Sequence, residues 1–456
     1  LVINMKKRAL SFLLILFIFL LCAPVMLSGC ETGKGNPPES SERESSAEGS
    51  VPDEELYNDK VKPIIRLDPA EREIRINIGG EYDLLRGVTG SDNLEGEITD
   101  RVQIDDGGYD PGVPGKYTVV YSLSDTAGNK ARTVMKTITV VDNIVISPPP
   151  LFSGDIQGEK LNPNPPAFFG GAWYYKVVSS KDKWVGIEGI VTLPEVTLTR
   201  YNGEYDPGLD IDPAGVNLDN PSVYMGGNAS GESDVGLSLS KALIDIPSQT
   251  LSKGSIAFRP FWRYITSENK DVGGYDVHGG EYAVSCNGNN CIANYHWRYT
   301  EYYYLPGDTL RIIIYIPEPN KMQLQIEVIE KSTLPSSVEI RERYGWKDPE
   351  NFKSPIFQSP GHGTGINAEY KRVNAIDQVK NEGGTAIATD SVIKNAVWRE
   401  TCLYREINGI LYRVPMGESR RGVLAAPDKT RFTVSYDGVD KDLGGEVITI
   451  HPGYSD

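Results

Sequence analysis

The sequence predicts an all-β protein: two β-sandwiches in series behind a disordered N-terminal tether. The first is a small sandwich of immunoglobulin type over residues 63–142, the second a larger jelly-roll or lectin-like sandwich over residues 150–456. Three observations carry that expectation. Apolar and polar residues alternate over short runs, the period of a half-buried strand. Clusters of Gly, Asp and Asn separate those runs as turns. Gly (47), Pro (30) and Tyr (25) are abundant and Met (6) is scarce among 456 residues, a composition for strands and turns rather than helices.

The first thirty residues follow a different rule. Lys6, Lys7 and Arg8 precede an apolar run from Ala9 to Met26. A basic start, an apolar core and small residues before a cleavage point describe an export signal, for which Met5 is the natural start. The run is long enough to span a bilayer, but a spanning helix has no need of Leu27-Ser28-Gly29-Cys30 at its outer end. That ending resembles the lipobox of bacterial lipoproteins. The resemblance implies that Cys30 is acylated, that residues 1–29 are removed, and that the lipid holds the chain on the extracytoplasmic face of the cell membrane. One acyl chain anchors weakly, whereas a diacylglycerol holds stably. Residues 30–60 are rich in Glu, Ser, Gly and Pro. Such a segment buries too little apolar surface to offset its ordering entropy, and reads as a flexible spacer.

From Pro63 to Asp142 the pattern becomes strand-like. Glu73 to Ile78 alternates, as do Tyr117, Val119, Tyr121 and Leu123, and then Val134, Ile138 and Val140. Gly79-Gly80, Gly107-Gly108 and Asp125 to Asn129 fall between them as turns. Short strands with regular turns over this length fit an immunoglobulin-type sandwich. The stretches Gly87 to Asn93, Gly96 to Asp100, Gly115 to Tyr121 and Ser124 to Asn129 together resemble the bacterial Ig-like domains of exported proteins. Gly90-Ser91-Asp92 stands where that family usually has Ala-Xaa-Asp. The resemblance implies a spacer or adhesive module without catalytic residues. Asp92, Asn93, Glu95 and Asp100 can supply oxygen ligands for a structural calcium ion, or act as turn residues bonding their own backbone.

Pro148-Pro149-Pro150 reads as a stiff hinge. Beyond it, Leu310 to Ile316, a Pro-Glu-Pro-Asn turn and Met322 to Ile329 form a predicted hairpin, and the second arm has one buried and one wet face. Asn408-Gly409 between Leu403 to Arg405 and Leu411 to Arg413 marks another hairpin. Trp184 to Leu193 reads as a further strand, and no amphipathic helix is expected. A single two-sheet sandwich is the economical reading, with a split into two β-domains near residues 331–360 as the alternative. Tyr224 to Gly227, Asp234 to Leu237 and Phe258 to Arg263 are similar to stretches of concanavalin-like sandwiches.

The net charge of −16 becomes more acidic once the cationic signal is removed, which argues against nucleic acid as a partner, since that needs a positive footprint. With Cys22 in the signal and Cys30 lipidated, Cys286, Cys291 and Cys402 remain. Cys286 and Cys291 can close a small disulfide loop or stay reduced. Four histidines and this cysteine spacing give no paired zinc motif. Asp206, Asp210 and Asp212, and likewise Asp437, Asp440 and Asp442, can hold calcium or stabilise solvated turns.

Candidate ligand-binding residues are aromatic and basic. Trp297 and Tyr299 sit in Tyr295-His296-Trp297-Arg298-Tyr299, Tyr303 in Tyr302-Tyr303-Tyr304, and Arg259, Trp262 and Arg263 in one strand-like run. Such rings bring large contact area with few rotors and can stack on sugar faces, while Tyr and Arg bond the hydroxyls. The competing role for each ring is core packing. Glu188, Asp234 and Glu327 are the carboxylates in strand-like segments, but no short signature pairs them for glycoside hydrolysis. Neither a nucleophile elbow nor a phosphate loop is present. Three functions follow: a surface lipoprotein binding a carbohydrate or envelope ligand, an envelope polysaccharide hydrolase, or an adhesion module without a small-molecule site. The first is the leading expectation, with no catalytic residue and no cofactor beyond structural calcium.

Overall fold

The structure, a computed structural model, describes residues 53–199, 219–240, 245–246, 249–250, 257–265, 271–277, 280–281, 284–287, 290–292, 302–344, 348–378, 381 and 383–453. The export signal, Cys30 and most of the predicted tether lie outside these residues. The end of that tether is not all coil, because Asp53–Tyr57 forms a short helix.

The small unit has seven strands: β1 (Ile64–Leu67), β2 (Glu73–Asn77), β3 (Val88–Asp92), β4 (Gly96–Glu97), β5 (Gln103–Asp105), β6 (Gly115–Ser122) and β7 (Val134–Val141). They form two sheets, β1-β3-β4 and β2-β7-β6-β5, with β2 and β7 parallel. Alternation decides the packing. Val119, Tyr121, Leu123 and Ile138 point inward and meet Ile65 and Val88 of the facing sheet and Ile98 just after β4. Glu95, a predicted calcium ligand, is instead paired with Arg101 at 2.6 Å and accepts from Thr126. Asn93 and Asp100 are exposed.

The larger unit begins with β8 (Ala172–Ser179), β9 (Gly186–Thr192), β10 (Glu195–Thr197), β11 (Asn220–Asn228) and β12 (Ser233–Ser240). A short ribbon, β13 (Asp245–Ile246) with β14 (Gln249–Thr250), precedes β15 (Ala257–Ile265), β16 (Asp271–Val277), β17 (Gly280–Glu281), β18 (Val284–Asn287) and β19 (Asn290–Ile292). Then come β20 (Thr309–Tyr315), β21 (Lys321–Glu330), β22 (Phe352–Lys353), β23 (Phe357–Gln358) and β24 (Glu369–Asp377). The chain ends with β25 (Val392–Ile407), β26 (Ile410–Pro415), β27 (Arg421–Ala426), β28 (Phe432–Ser435) and β29 (Glu446–Ile450). One sheet, the back sheet, runs β22-β21-β20-β9-β25-β29-β28, with β10 and β26 also on β25 and β23 on β21. The other, the front sheet, runs β19-β18-β16-β15-β12-β11-β24-β8-β27, with β17 on β16. Strands before and after residues 331–360 therefore hydrogen-bond within the same sheets, as β9 does with β25 and β11 with β24.

The two sheets bury one continuous core between them. Val223, Met225, Val235 and Leu237 of the front sheet face Ile187, Ile312, Leu324 and Trp398 of the back sheet. The β20–β21 hairpin follows the predicted alternation: Met322, Leu324 and Ile326 are fully buried. The β25–β26 turn has Asn408 at φ 53° and Gly409 at φ 77°, the left-handed pair that a two-residue hairpin requires. In β9, a Cβ on Gly189 would stand 2.6 Å from the Trp398 ring. Gly189→Ala is therefore expected to destabilise the larger unit by about 1–3 kcal/mol through overpacking, read as a lower denaturant midpoint.

One expectation is corrected, and one element is added that the sequence did not announce. A ten-residue helix, Pro335–Tyr344, is present. It has almost no apolar stripe and is held by polar contacts, a buried Arg341–Asp308 ion pair at 2.7 Å and the Ser337 hydroxyl donating to Pro306 O at 2.7 Å, so periodicity does not announce it. The predicted proline hinge is docked along the back sheet. Ile146 N donates to Gln325 at 2.8 Å, and Phe152 N donates to Arg413 O at 2.9 Å while Arg413 N donates to Pro150 O at 3.0 Å.

Candidate functional site

In-out alternation divides the described side chains of β8, β11, β12, β15, β24 and β27 between the core and the sheet's other, outer face. On the core side are Val223, Met225, Val235, Leu237, Phe258 and Trp262. Their neighbours point outward, and a second apolar cluster forms there from Tyr224, Phe261, Val373 and Ala375, with Tyr174 packed against it. Tyr224 and Phe261 meet edge to face, with centroids 5.8 Å apart. Glycine makes this floor. A Cβ on Gly236 would stand 2.6–2.7 Å from Cα and Cβ of Tyr224, and one on Gly226 would collide with Ser233 O and the Lys371 side chain.

A polar rim surrounds the floor. Lys371 of β24, almost fully buried, forms an ion pair with Glu232 at 2.6 Å and another with Asp234 of β12. Burial alone would raise the Asp234 carboxyl, but the Lys371 ammonium outweighs it, with Arg263 and Lys176 adding to the effect, and holds it below the usual range. For Lys371 burial works downward, and Asp234 and Glu232 more than reverse it. Lys176, half-buried and near the Lys371 charge, is held below the ordinary lysine value by its partial burial and then by that charge. Burial, then Tyr174 and Asp234, push the Tyr224 phenol far up, so it stays a neutral donor. Asp377 accepts from the Tyr174 hydroxyl at 2.6 Å and from Ser222 at 2.9 Å. At the edge Phe168, 41% exposed, meets the Tyr174 ring with centroids 6.5 Å apart.

The sequence-predicted residues are divided by this geometry. Arg263, opposite Asp234 in the β12–β15 register, is part-exposed on the outer face, and Arg259, opposite Ser238, is buried beneath it. Trp262 is a correction. It has the opposite parity, belongs to the core, and stacks between Phe352 and Phe357 at 6.3 and 6.4 Å. Tyr303 is also buried, at 2% exposure, and its neighbour Tyr304 bridges to Phe258, so this tyrosine run is packing rather than an exposed platform. Trp297 and Tyr299 lie outside the described residues, as do Asp206, Asp210 and Asp212. Cys286 stands opposite Cys291 in the β18–β19 register, and Cys402 is a buried free thiol.

The candidate carboxylates do not converge. Glu188 and Glu327 are on the outer face of the back sheet, both near Arg311, at 3.7 and 3.0 Å. Glu188 is fully buried, accepts from Tyr404 at 2.7 Å and is paired with Arg413 at 3.3 Å. Asp234 is on the other side of the sandwich. In the turn before β29, Asp440 accepts from the Asp442 amide at 2.8 Å, which is ordinary turn bonding. Sequence reasoning missed Phe168, Tyr174, Lys371 and Asp377. The alternation in Tyr370-Lys371-Arg372-Val373-Asn374-Ala375-Ile376-Asp377 was the available signal for the last two.

No curated protein matches the chain. Among solved structures, a lipoprotein from Bacteroides thetaiotaomicron aligns at 11% identity over 68% of this chain and 99% of that one, with a TM-score of 0.18. Scytalido-glutamic peptidase with a peptide-based transition-state analogue aligns at 7% identity over 61% and 98%, with a TM-score of 0.27. A carbohydrate-binding module in complex with GlcNAc, with INT domains, from Clostridium perfringens aligns at 11% over 70% and 49%, with a TM-score of 0.16. These scores are too low to transfer a fold or an activity. The small unit is clearer: residues 69–140 match the family described as bacterial surface protein, Ig-like domain.

Proposed function

We propose that this is a bacterial surface protein, lipid-anchored through Cys30, whose larger sandwich binds a carbohydrate on the outer face of its front sheet while the Ig-like unit acts as spacer. The observation that carries the reading is an aromatic edge, the exposed Phe168 and part-exposed Tyr174, held on a buried floor of Tyr224 and Phe261 beside a rim of fixed charges and hydroxyls. Sugars present apolar C–H faces and hydroxyl edges, and such a surface complements both. The Ig-like match supports a surface setting.

Binding fits better than hydrolysis. A glycosidase needs one carboxyl kept protonated as general acid, facing a second carboxylate. Asp234 is instead held ionised by Lys371. The test is a glycan array probed with the full chain, followed by a reducing-end assay on every glycan bound. Binding without new reducing ends is the expected result, and release of reducing ends would establish the hydrolase instead.

A further inference from the structure

Three carboxylates from separate stretches of the small unit meet at one point. Asp59 lies just ahead of β1, Asp92 closes β3, and Asp125 stands in the turn after β6. One carboxylate oxygen from each lies within 4.8 Å of the others, and the Asp92 and Asp125 groups are buried. Their donors are all neutral. Val61 N bonds Asp59 Oδ1 at 2.8 Å, and Leu94 N and Glu95 N bond Asp92 Oδ1 at 3.0 and 3.2 Å. Asn129 serves both oxygens of Asp125, at 2.7 and 2.8 Å. That leaves Oδ2 of Asp59 and Oδ2 of Asp92 shut off from water without a hydrogen-bond partner.

Buried oxygens of this kind are rare, and three like charges so close repel unless a counter-charge sits among them. A hard cation supplies it. Calcium takes oxygen ligands at about 2.3–2.6 Å in irregular loop geometry, so two oxygens sharing one ion stand no more than about 5 Å apart. The observed spacing meets that limit. Asn129 adds a further tie, donating to Asp59 O at 3.0 Å.

We propose that Asp59, Asp92 and Asp125 form a calcium-binding site that clasps the segment ahead of β1 onto the end of the small sandwich. The site sits where the spacer from the membrane enters the first folded unit, so calcium outside the cell stiffens that joint. The test is calorimetric titration of the metal-stripped full chain with calcium chloride and with magnesium chloride. A saturable calcium site is expected, with magnesium weaker by about tenfold or more because it demands a tighter octahedral shell. Asp92→Asn and Asp59→Asn are each expected to weaken calcium binding by about tenfold or more, whereas Asp437→Asn in a remote acidic turn leaves it unchanged. Asp59 stands ahead of the strands, so its variant keeps the test open should Asp92→Asn fold poorly. Absence of saturable calcium binding in the folded chain, or an unaltered isotherm for Asp59→Asn, overturns the proposal.

Discussion

Glu446→Ala is expected to destabilise the larger unit by about 3–5 kcal/mol, because it leaves buried cations without their counter-charge. Glu446 is fully buried between the sheets. One carboxylate oxygen pairs with Arg372 of the front sheet, and the other lies 3.5 Å from Arg421 and accepts from Tyr175 at 2.7 Å. Arg372 also donates to Thr401 and to Gly444 O, each at 2.9 Å, and lies 4.9 Å from the centre of the Trp398 ring. This network crosses the sandwich, so it fixes how the sheets sit on one another as well as how tightly. The measurement is a guanidinium unfolding curve of the full chain, following the larger unit. A loss below about 1 kcal/mol, typical of a solvated pair, would show that the network is not closed to water.

The second large effect depends on pH. His362 is buried, its Nδ1 is 2.8 Å from the Ser359 hydroxyl, and its Nε2 is enclosed without a partner. Burial depresses its pKa from 6.5 to about 4. The unfolded chain then binds a proton at pH 5 that the folded chain refuses. The stability due to neutral His362 is complete above pH 6.5 and is lost as pH falls from 6.5 towards 4, by about 3 kcal/mol in all. Carboxylates titrate in part of that window, so the quantity to measure is the difference in slope between wild type and His362→Gln. A flatter acid limb in the variant is expected. Equal slopes would mean that the imidazole is reached by water.

What the sequence showed depended on the range of the signal. The β20–β21 hairpin, the Asn408-Gly409 turn and the strands of the Ig-like unit were legible because period and turn chemistry act over a few residues. The binding face was only half legible. Phe258 to Arg263 is aromatic, basic and apolar throughout, so alternation does not reveal which parity faces the core; Arg259 and Arg263 fell outside it and Trp262 inside. Lys371 meets Asp234 only because β24 and β12 flank β11, a pairing that no local pattern encodes. The Asp59–Asp92–Asp125 cluster was missed for the same reason. Local spacing grouped Asp92 with Glu95 and Asp100, whereas the fold groups it with residues 33 positions away on either side.

Whether the outer face of the front sheet is the binding surface is decided by titration calorimetry with a glycan taken from the array. Phe168→Ala and Arg263→Ala remove exposed and part-exposed groups of that face, so stability should shift by less than about 0.5 kcal/mol for the exposed ring. Each is predicted to weaken binding by about 1–3 kcal/mol, the loss expected when an aromatic or arginine anchor is truncated. Arg399→Ala, which breaks an exposed pair with Glu330 on the back sheet, should leave the isotherm unchanged. Unaltered binding in both front-sheet variants, or a loss confined to Arg399→Ala, would contradict the assignment.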